Sequence, residues 1–201
     1  MYLNQCCWCG KIRAFLDTSK EDWLAAMEQH YHYVTPHKLV PGDVRAWENC
    51  WDVLHGALAG LGEPYPDLHI LFEYCLPGKV SREGQLSDYC VRADAIIVGR
   101  DTAVVLEFKN KPIPQDKLPM FARQAKKYRT RLQKYHDESR GMRKWAVLVP
   151  TQSQDLLCKP ISRVTACSPD RLAQVLRAQF GEDPRTRKTI RAWKNSAYSV
   201  H

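Results

Sequence analysis

Apolar positions fall at helical spacing early in the chain and at strand spacing in its middle. Ser19, followed by Asp22, has the form of a helix cap and predicts a first helix from about Lys20 to Tyr33. Val44, Trp47, Trp51, Leu54, Leu58 and Leu61 recur at three- and four-residue intervals. They predict a second helix from Val44 to about Gly60, capped by Asp43 and stopped by Gly60 and Gly62. Three runs then read as strands: Leu68 to Leu76, about Tyr89 to Val98, and Ala103 to Lys109. A polar loop over 79–85 and a tight turn at Gly99-Arg-Asp101 join them, which predicts an antiparallel meander. Pro112 and Pro114 end it. A long helix follows, from Lys117 or Pro119 to about Glu138. Trp145 to Pro150 is a short apolar strand suited to a sheet interior. Ser168, with Pro169 at the first helical position, opens a last helix ending near Phe180-Gly181. The order α-α-β-β-β-α-β-α predicts an α/β fold, a central mixed sheet flanked by helices. Residues 1–181 read as one domain, helical over 1–62 and carrying the sheet over 68–181. Residues 182–201 read as a basic tail with an aromatic cluster at Trp193 and Tyr198.

Composition is that of an ordinary globular chain of 201 residues, 44% hydrophobic and 26% charged. No run approaches the roughly 18 apolar residues of a membrane span, and the first fifteen residues lack the apolar core of a secretory leader. A cytoplasmic protein with no membrane partner is expected. The eight cysteines read as reduced thiols used as small hydrophobes. The cluster Cys6-Cys7-Trp8-Cys9 would bind a metal only with distant partners. Charge changes the picture more. The formal net charge is +8, yet residues 109–144 hold twelve Lys and Arg against Asp116, Asp137 and Glu138. Essentially all the net basicity lies in one segment. A localised positive field suits a polyanion, and a solvated helix face is the other reading of the same charges.

That segment begins at the chain's chemical oddity. Arg92-Ala-Asp-Ala-Ile-Ile-Val-Gly99 and Thr102-Ala-Val-Val-Leu-Glu-Phe-Lys-Asn110 are apolar strands interrupted by charge. Buried strands exclude such charge unless it is paired or holds a metal. Alternation puts Glu107 and Lys109 on one face, and pairing of the two strands brings Asp94 to the same end. Asp94, Glu107 and the backbone carbonyl of Phe108 form a hard-oxygen set of the kind that suits Mg2+, or Mn2+. Such an ion beside a phosphate, with Lys109 as base or electrostatic anchor, makes the equipment of phosphodiester hydrolysis.

This arrangement resembles the PD-(D/E)XK nuclease superfamily. The carriers are Asp94 and then Glu107-Phe108-Lys109, in a restriction-endonuclease-like αβββαβ order, with Ala93 where the family has Pro. Gln124-Ala-Lys-Lys-Tyr128 on the following helix resembles the QxxxY signature of RecB-like modules. The resemblance implies catalytic roles for Asp94, Glu107, Lys109, Gln124 and Tyr128, and a further acid. Glu73 is the candidate for that acid, as catalytic residue and metal ligand, with Glu48 competing. It also implies metal-dependent cleavage of DNA. Lys126, Lys127, Arg129, Arg131 and Lys134 would contact the nucleic acid, and Tyr128, Tyr135 or Trp145, if exposed, would stack on bases. The three closely spaced C-terminal cysteines of cluster-bearing nucleases are missing. A narrower resemblance, carried by Val44-Arg-Ala-Trp-Glu-Asn, Phe72-Glu-Tyr-Cys-Leu-Pro and Trp193-Lys-Asn-Ser-Ala-Tyr198, is to the N-terminal nuclease module of bacterial nuclease–helicase proteins. It implies DNA processing or phage defence, with a helicase or ATPase as partner or as a missing C-terminal region. The chain holds no GxxxxGK[ST]. The competing class is a binding module: an inactive nuclease fold that grips nucleic acid or a helicase partner.

Overall fold

A computed structural model of the chain describes residues 4–78, 85, 89–153, 159–161, 163–181 and 190–199. Among these residues seven strands form one mixed sheet: β1 (Trp8–Lys11), β2 (His69–Pro77), β3 (Cys90–Val98), β4 (Thr102–Lys109), β5 (Arg143–Pro150), β6 (Lys159–Ile161) and β7 (Val164–Ala166). Their order across the sheet is β1-β2-β3-β4-β5-β7-β6. β1 to β4 are antiparallel neighbours. β5 runs parallel to β4. A parallel neighbour requires a crossover, which α4 (Leu118–Tyr135) supplies.

The strands read from the sequence are β2 to β5, each found within two residues of its expected ends. β5 is apolar because β4 and β7 flank it and helices cover it. The expected first helix is α2 (Lys20–His30), with Ser19 Oγ accepting the Asp22 N–H at 3.1 Å. Its last turn, Tyr31–Tyr33, tightens into a 3-10 turn. The second helix is α3 (Pro41–Ala59), which begins three residues before the expected start. Pro41 sits where no N–H is needed. Asp43 therefore caps from inside the helix, accepting the Val40 N–H at 3.2 Å. α4 ends before Glu138 because His136 leaves the helix at ψ 105°, where its ring meets the Tyr74 hydroxyl at 3.2 Å.

Four further elements carried no sequence pattern strong enough to be expected: β1, α1 (Ile12–Asp17), the β6–β7 hairpin and α6 (Ile190–Lys194). β1 pairs through backbone groups with β2, so the expected helical N-terminal part donates a strand to the sheet. Trp8 folds its ring back over Gly10, where any Cβ would lie 2.8 Å from that ring. Of the expected tail, residues 190–199 pack on the sheet, and Trp193 is 1% exposed. Most of the expected loop after β2 lies outside the described residues.

The elements stack in three layers. α1, α2, α3 and α5 (Leu172–Phe180) cover one face of the sheet in a single apolar cluster. α4 and α6 cover the other. Val104, Val105 and Leu106 are wholly buried between them, so the charged end of β4 projects from a rigid apolar stem.

Candidate active site

The site forms where β3 and β4 part. Their pairing runs from Val98↔Ala103 to Ala95↔Leu106 and stops there. β3 stays paired with β2 as far as Cys90. At the same level both β2 and β3 break their alternation. Residues two apart in a strand share a face, yet Phe72 and Tyr74 lie in opposite core layers, as do Ala93 and Ala95. The residues at the two breaks, Glu73 and Asp94, face each other between the pairs Phe72↔Ala95 and Tyr74↔Ala93. Glu73 carries φ +52°, a left-handed backbone that non-glycine residues adopt at a cost and that clusters at functional sites. The kink frees both carboxylates from the regular faces of the sheet.

Asp94 takes up the backbone donor that the splay exposes. Its Oδ2 accepts the Phe108 N–H at 2.7 Å. The Lys109 carbonyl accepts from Thr151 on the β5 side, so by alternation the amide and carbonyl of Phe108 both face the β3 side. The Phe108 carbonyl therefore shares the edge that Asp94 lines. Glu107 and Lys109 share the face toward α4, as the alternation predicts. Lys109 Nζ donates to Glu107 Oε1 at 2.5 Å. Lys109 Nζ also donates to Gln124 Oε1 at 2.9 Å, and Gln124 Nε2 donates to the Tyr128 hydroxyl at 2.6 Å. Four of the expected residues thus form one hydrogen-bonded chain from β4 to α4.

Glu73 is placed otherwise. Trp47 Nε1 donates to its Oε1 at 3.2 Å, and Arg92 lies 3.3 Å from its Oε2. Among the described residues no group of three or more His, Cys, Asp or Glu side chains is arranged to hold a metal ion. Trp47 and Arg92 engage the carboxylate that was expected to serve as an added metal ligand. Glu48 does not line the cleft. Trp47, its neighbour, does.

Electrostatics follow from burial. Asp94 titrates at about 6, raised by burial and only partly restored by the Phe108 N–H and the Lys109 ammonium. Glu73 is raised to about 7 by burial and then by the charge of Asp94, against the pull of Arg92. Glu107 is pushed well above the carboxylate range by burial and by Asp94, with Lys109 opposing. Its Oε2 is buried with no hydrogen-bond partner. An orphaned carboxylate oxygen beside Asp94 and the Phe108 carbonyl is a donor set that fits a hard divalent cation.

These groups line a cleft of about 900 Å³ whose far wall is α4. Arg123 and Lys127, four residues apart on α4, both reach it. Arg131 and Lys134 continue along a groove beside Arg123 and Lys127. Lys126 lines that groove too. Arg129 is placed on another face, near Arg163, because two residues of helix turn it about 200° from Lys127. The expected basic set therefore spreads around α4, with Lys126 and Lys134 lining both grooves. The expected stacking residues divide. Tyr128 is 5% exposed and tied to Gln124, so its ring has no face for a base. Trp145 is exposed in a different groove, beside Arg140 and Arg143. Arg131 covers Tyr135, 5.5 Å above its ring.

Sequence reasoning missed Arg92, Trp47, Arg123 and Tyr89. Arg92 is an arginine in an apolar strand two residues before Asp94, the same signal that exposed Asp94. Arg123 stands at i−4 from Lys127. Tyr89, 62% exposed with Lys127 Nζ 5.1 Å from its ring centroid, precedes β3 and carries no periodic signal.

No protein-family model matches the chain, and no curated protein matches it in sequence. Among solved structures, the small subunit of the heterodimeric restriction endonuclease R.BspD6I is similar, with a TM-score of 0.33 and 10% identity, covering 79% of this chain and 77% of that one. A likeness this distant carries no function across.

Proposed function

We propose that the protein is a divalent-metal-dependent nuclease that hydrolyses phosphodiester bonds of DNA. The observation that carries this reading is the splay of β3 from β4. It sets Asp94, the orphaned Glu107 oxygen and the Phe108 carbonyl at one edge of a cleft, with Lys109 beside them and a basic helix opposite. Asp94, Glu107 and the Phe108 carbonyl would hold Mg2+ or Mn2+. When bound, the ion supplies charge neutralisation at the phosphate and a more acidic water. The chain's own residues do the remaining work. Gln124, itself held by Tyr128, fixes the Lys109 ammonium at the cleft. There the ammonium orients the attacking water and stabilises negative charge gathering on the phosphate oxygens. Arg123 and Lys127 hold the flanking phosphates.

A binding module without catalysis is the second reading, and one observation favours it. Lys109 already pairs with Glu107, and Arg92 with Glu73, as in an ion-pair cluster that serves only structure. Incubation with circular single- and double-stranded DNA, with magnesium or manganese, separates the two. Cleavage of either circle supports the nuclease. Binding with every metal tested and no cleavage supports the module. A helicase or ATPase partner, and a role in phage defence or repair, rest on the narrower sequence resemblance.

A further inference from the structure

The cysteine cluster is absorbed by neither reading. Cys6 and Cys9 are separated by two residues, Cys7 and Trp8. The chain bends at Cys7 before entering β1. The Cys7 amide donates to the Phe72 carbonyl at 3.0 Å, and the Cys7 side chain joins the core layer under α2 and α3. Cys6 and Cys9 turn to the opposite layer, against α6. There the two side chains pack in one cluster, three positions apart in the sequence, near enough to interact electrostatically. All three are free thiols. Cys6 is 7% exposed, whereas Cys9 is half-buried and reachable. Lys194 of α6 faces the pair. The segment around it is tied to the same N-terminal stretch by Asn4 Nδ2 donating to the Ser196 carbonyl at 2.8 Å and by the Tyr198 hydroxyl donating to Asn4 Oδ1 at 2.5 Å.

We propose that Cys6 and Cys9 form a reversible thiol–disulfide site that exchanges with low-molecular-weight disulfides. The two positions differ as an attacking and a resolving thiol must. Cys9 is reachable, and the Cys6 hydrogen bond and the Lys194 ammonium lower it to about 7 against the effect of burial. Cys6 is buried and its thiol is pushed up. The Cys9 thiolate attacks one sulfur of the small disulfide, forming a mixed disulfide and releasing one small thiolate. Cys6 then loses its proton to that thiolate, and its sulfur attacks Cys9 Sγ. The Cys6–Cys9 bond forms, a second small thiolate leaves, and the chain has given up two electrons to the small disulfide. The two thiols share one packed layer at i and i+3 across the bend at Cys7, so closure is a local rearrangement of that bend. The site is independent of the nuclease reading, since neither thiol lines the cleft.

The test is oxidation of the folded full chain with oxidised glutathione near neutral pH, followed by alkylation and mass mapping. The expected product has lost two hydrogens in the peptide holding Cys6 and Cys9. Reduced glutathione reverses it. The loss persists in Cys7→Ala and is absent in Cys9→Ser. In Cys6→Ser, glutathione stays attached at Cys9. Alkylation of Cys9 in the reduced protein runs about tenfold faster than that of Cys90, the other half-buried thiol among the described residues. A chain that stays reduced in excess oxidised glutathione overturns the proposal. So does a bridge mapped to another pair such as Cys75 and Cys90.

Discussion

Asp94 pulls the residue scale in two directions at once. Its carboxylate replaces a strand partner for the Phe108 N–H, which stabilises the splay. Its charge, though, is buried beside Glu73 and Glu107. A carboxylate whose folded pKa is raised binds protons more tightly in the folded than in the unfolded chain, so it lowers stability as pH rises. For Asp94 and Glu73 the window runs from the ordinary carboxylate range, near pH 4, up to about 6 and 7. Asp94→Asn keeps an acceptor for Phe108 and removes the charge. The metal-free variant is expected to be more stable than the native protein at pH 8, on the order of 1–3 kcal/mol. The gain should vanish at pH 4, where the native Asp94 is itself neutral. Chemical denaturation at the two pH values checks this. Magnesium should stabilise the native protein at pH 8 and leave the variant unmoved. Trp193 poses a simpler residue-scale test. It is 1% exposed and its ring lies 4.5 Å from that of His136. Trp193→Ala should cost about 3–5 kcal/mol in urea unfolding. A smaller loss would mean that residues 190–199 are peripheral to the fold.

At the scale of elements, α4 carries two separable tasks. One face, Ala122, Ala125, Tyr128 and Leu132, is buried on the sheet. Gln124 turns toward Lys109, and Arg123, Lys127 and Arg131 form a stripe at i, i+4 spacing along the cleft and the groove beside it. Arg123→Ala and Lys127→Ala should each weaken DNA binding several-fold and reduce the salt dependence by about one unit of slope. Arg129→Ala, on another face, should change both far less. Binding measured across a salt series distinguishes them. α4 also shows what the sequence made legible. Its length, its Gln124/Tyr128 face and its basic charge were readable because helical periodicity and charge count are local. The strands β2 to β5 were readable for the same reason. The paired kink at Glu73 and Asp94 was not. It arises from two strands breaking alternation together, a relation between distant segments that neither run announces alone. β1 was hidden likewise, since Trp8–Lys11 becomes a strand only through backbone pairing with β2. Arg129 and Lys127 lie on different faces, which counting charge does not show because it ignores the 100° that separates successive helical residues.

Among the described residues the molecule is a three-layer body with a seam where β3 and β4 separate. Apolar layers pack on both faces of these strands, and the acids that line the seam are buried at a cost. Among the described residues no helix is long and apolar enough to cross a membrane. The basic field beside the seam is the feature that would bring a polyanion to it. The central claim is that Asp94, Glu107 and Lys109 cut the phosphate that this field delivers. It is tested most directly by one rate comparison: metal-dependent cleavage of circular DNA by the native protein, Asp94→Asn and Lys109→Ala, each confirmed folded. Cleavage by the native protein, reduced by about a thousandfold or more in both variants, is the predicted result. Cleavage that survives both substitutions contradicts the claim.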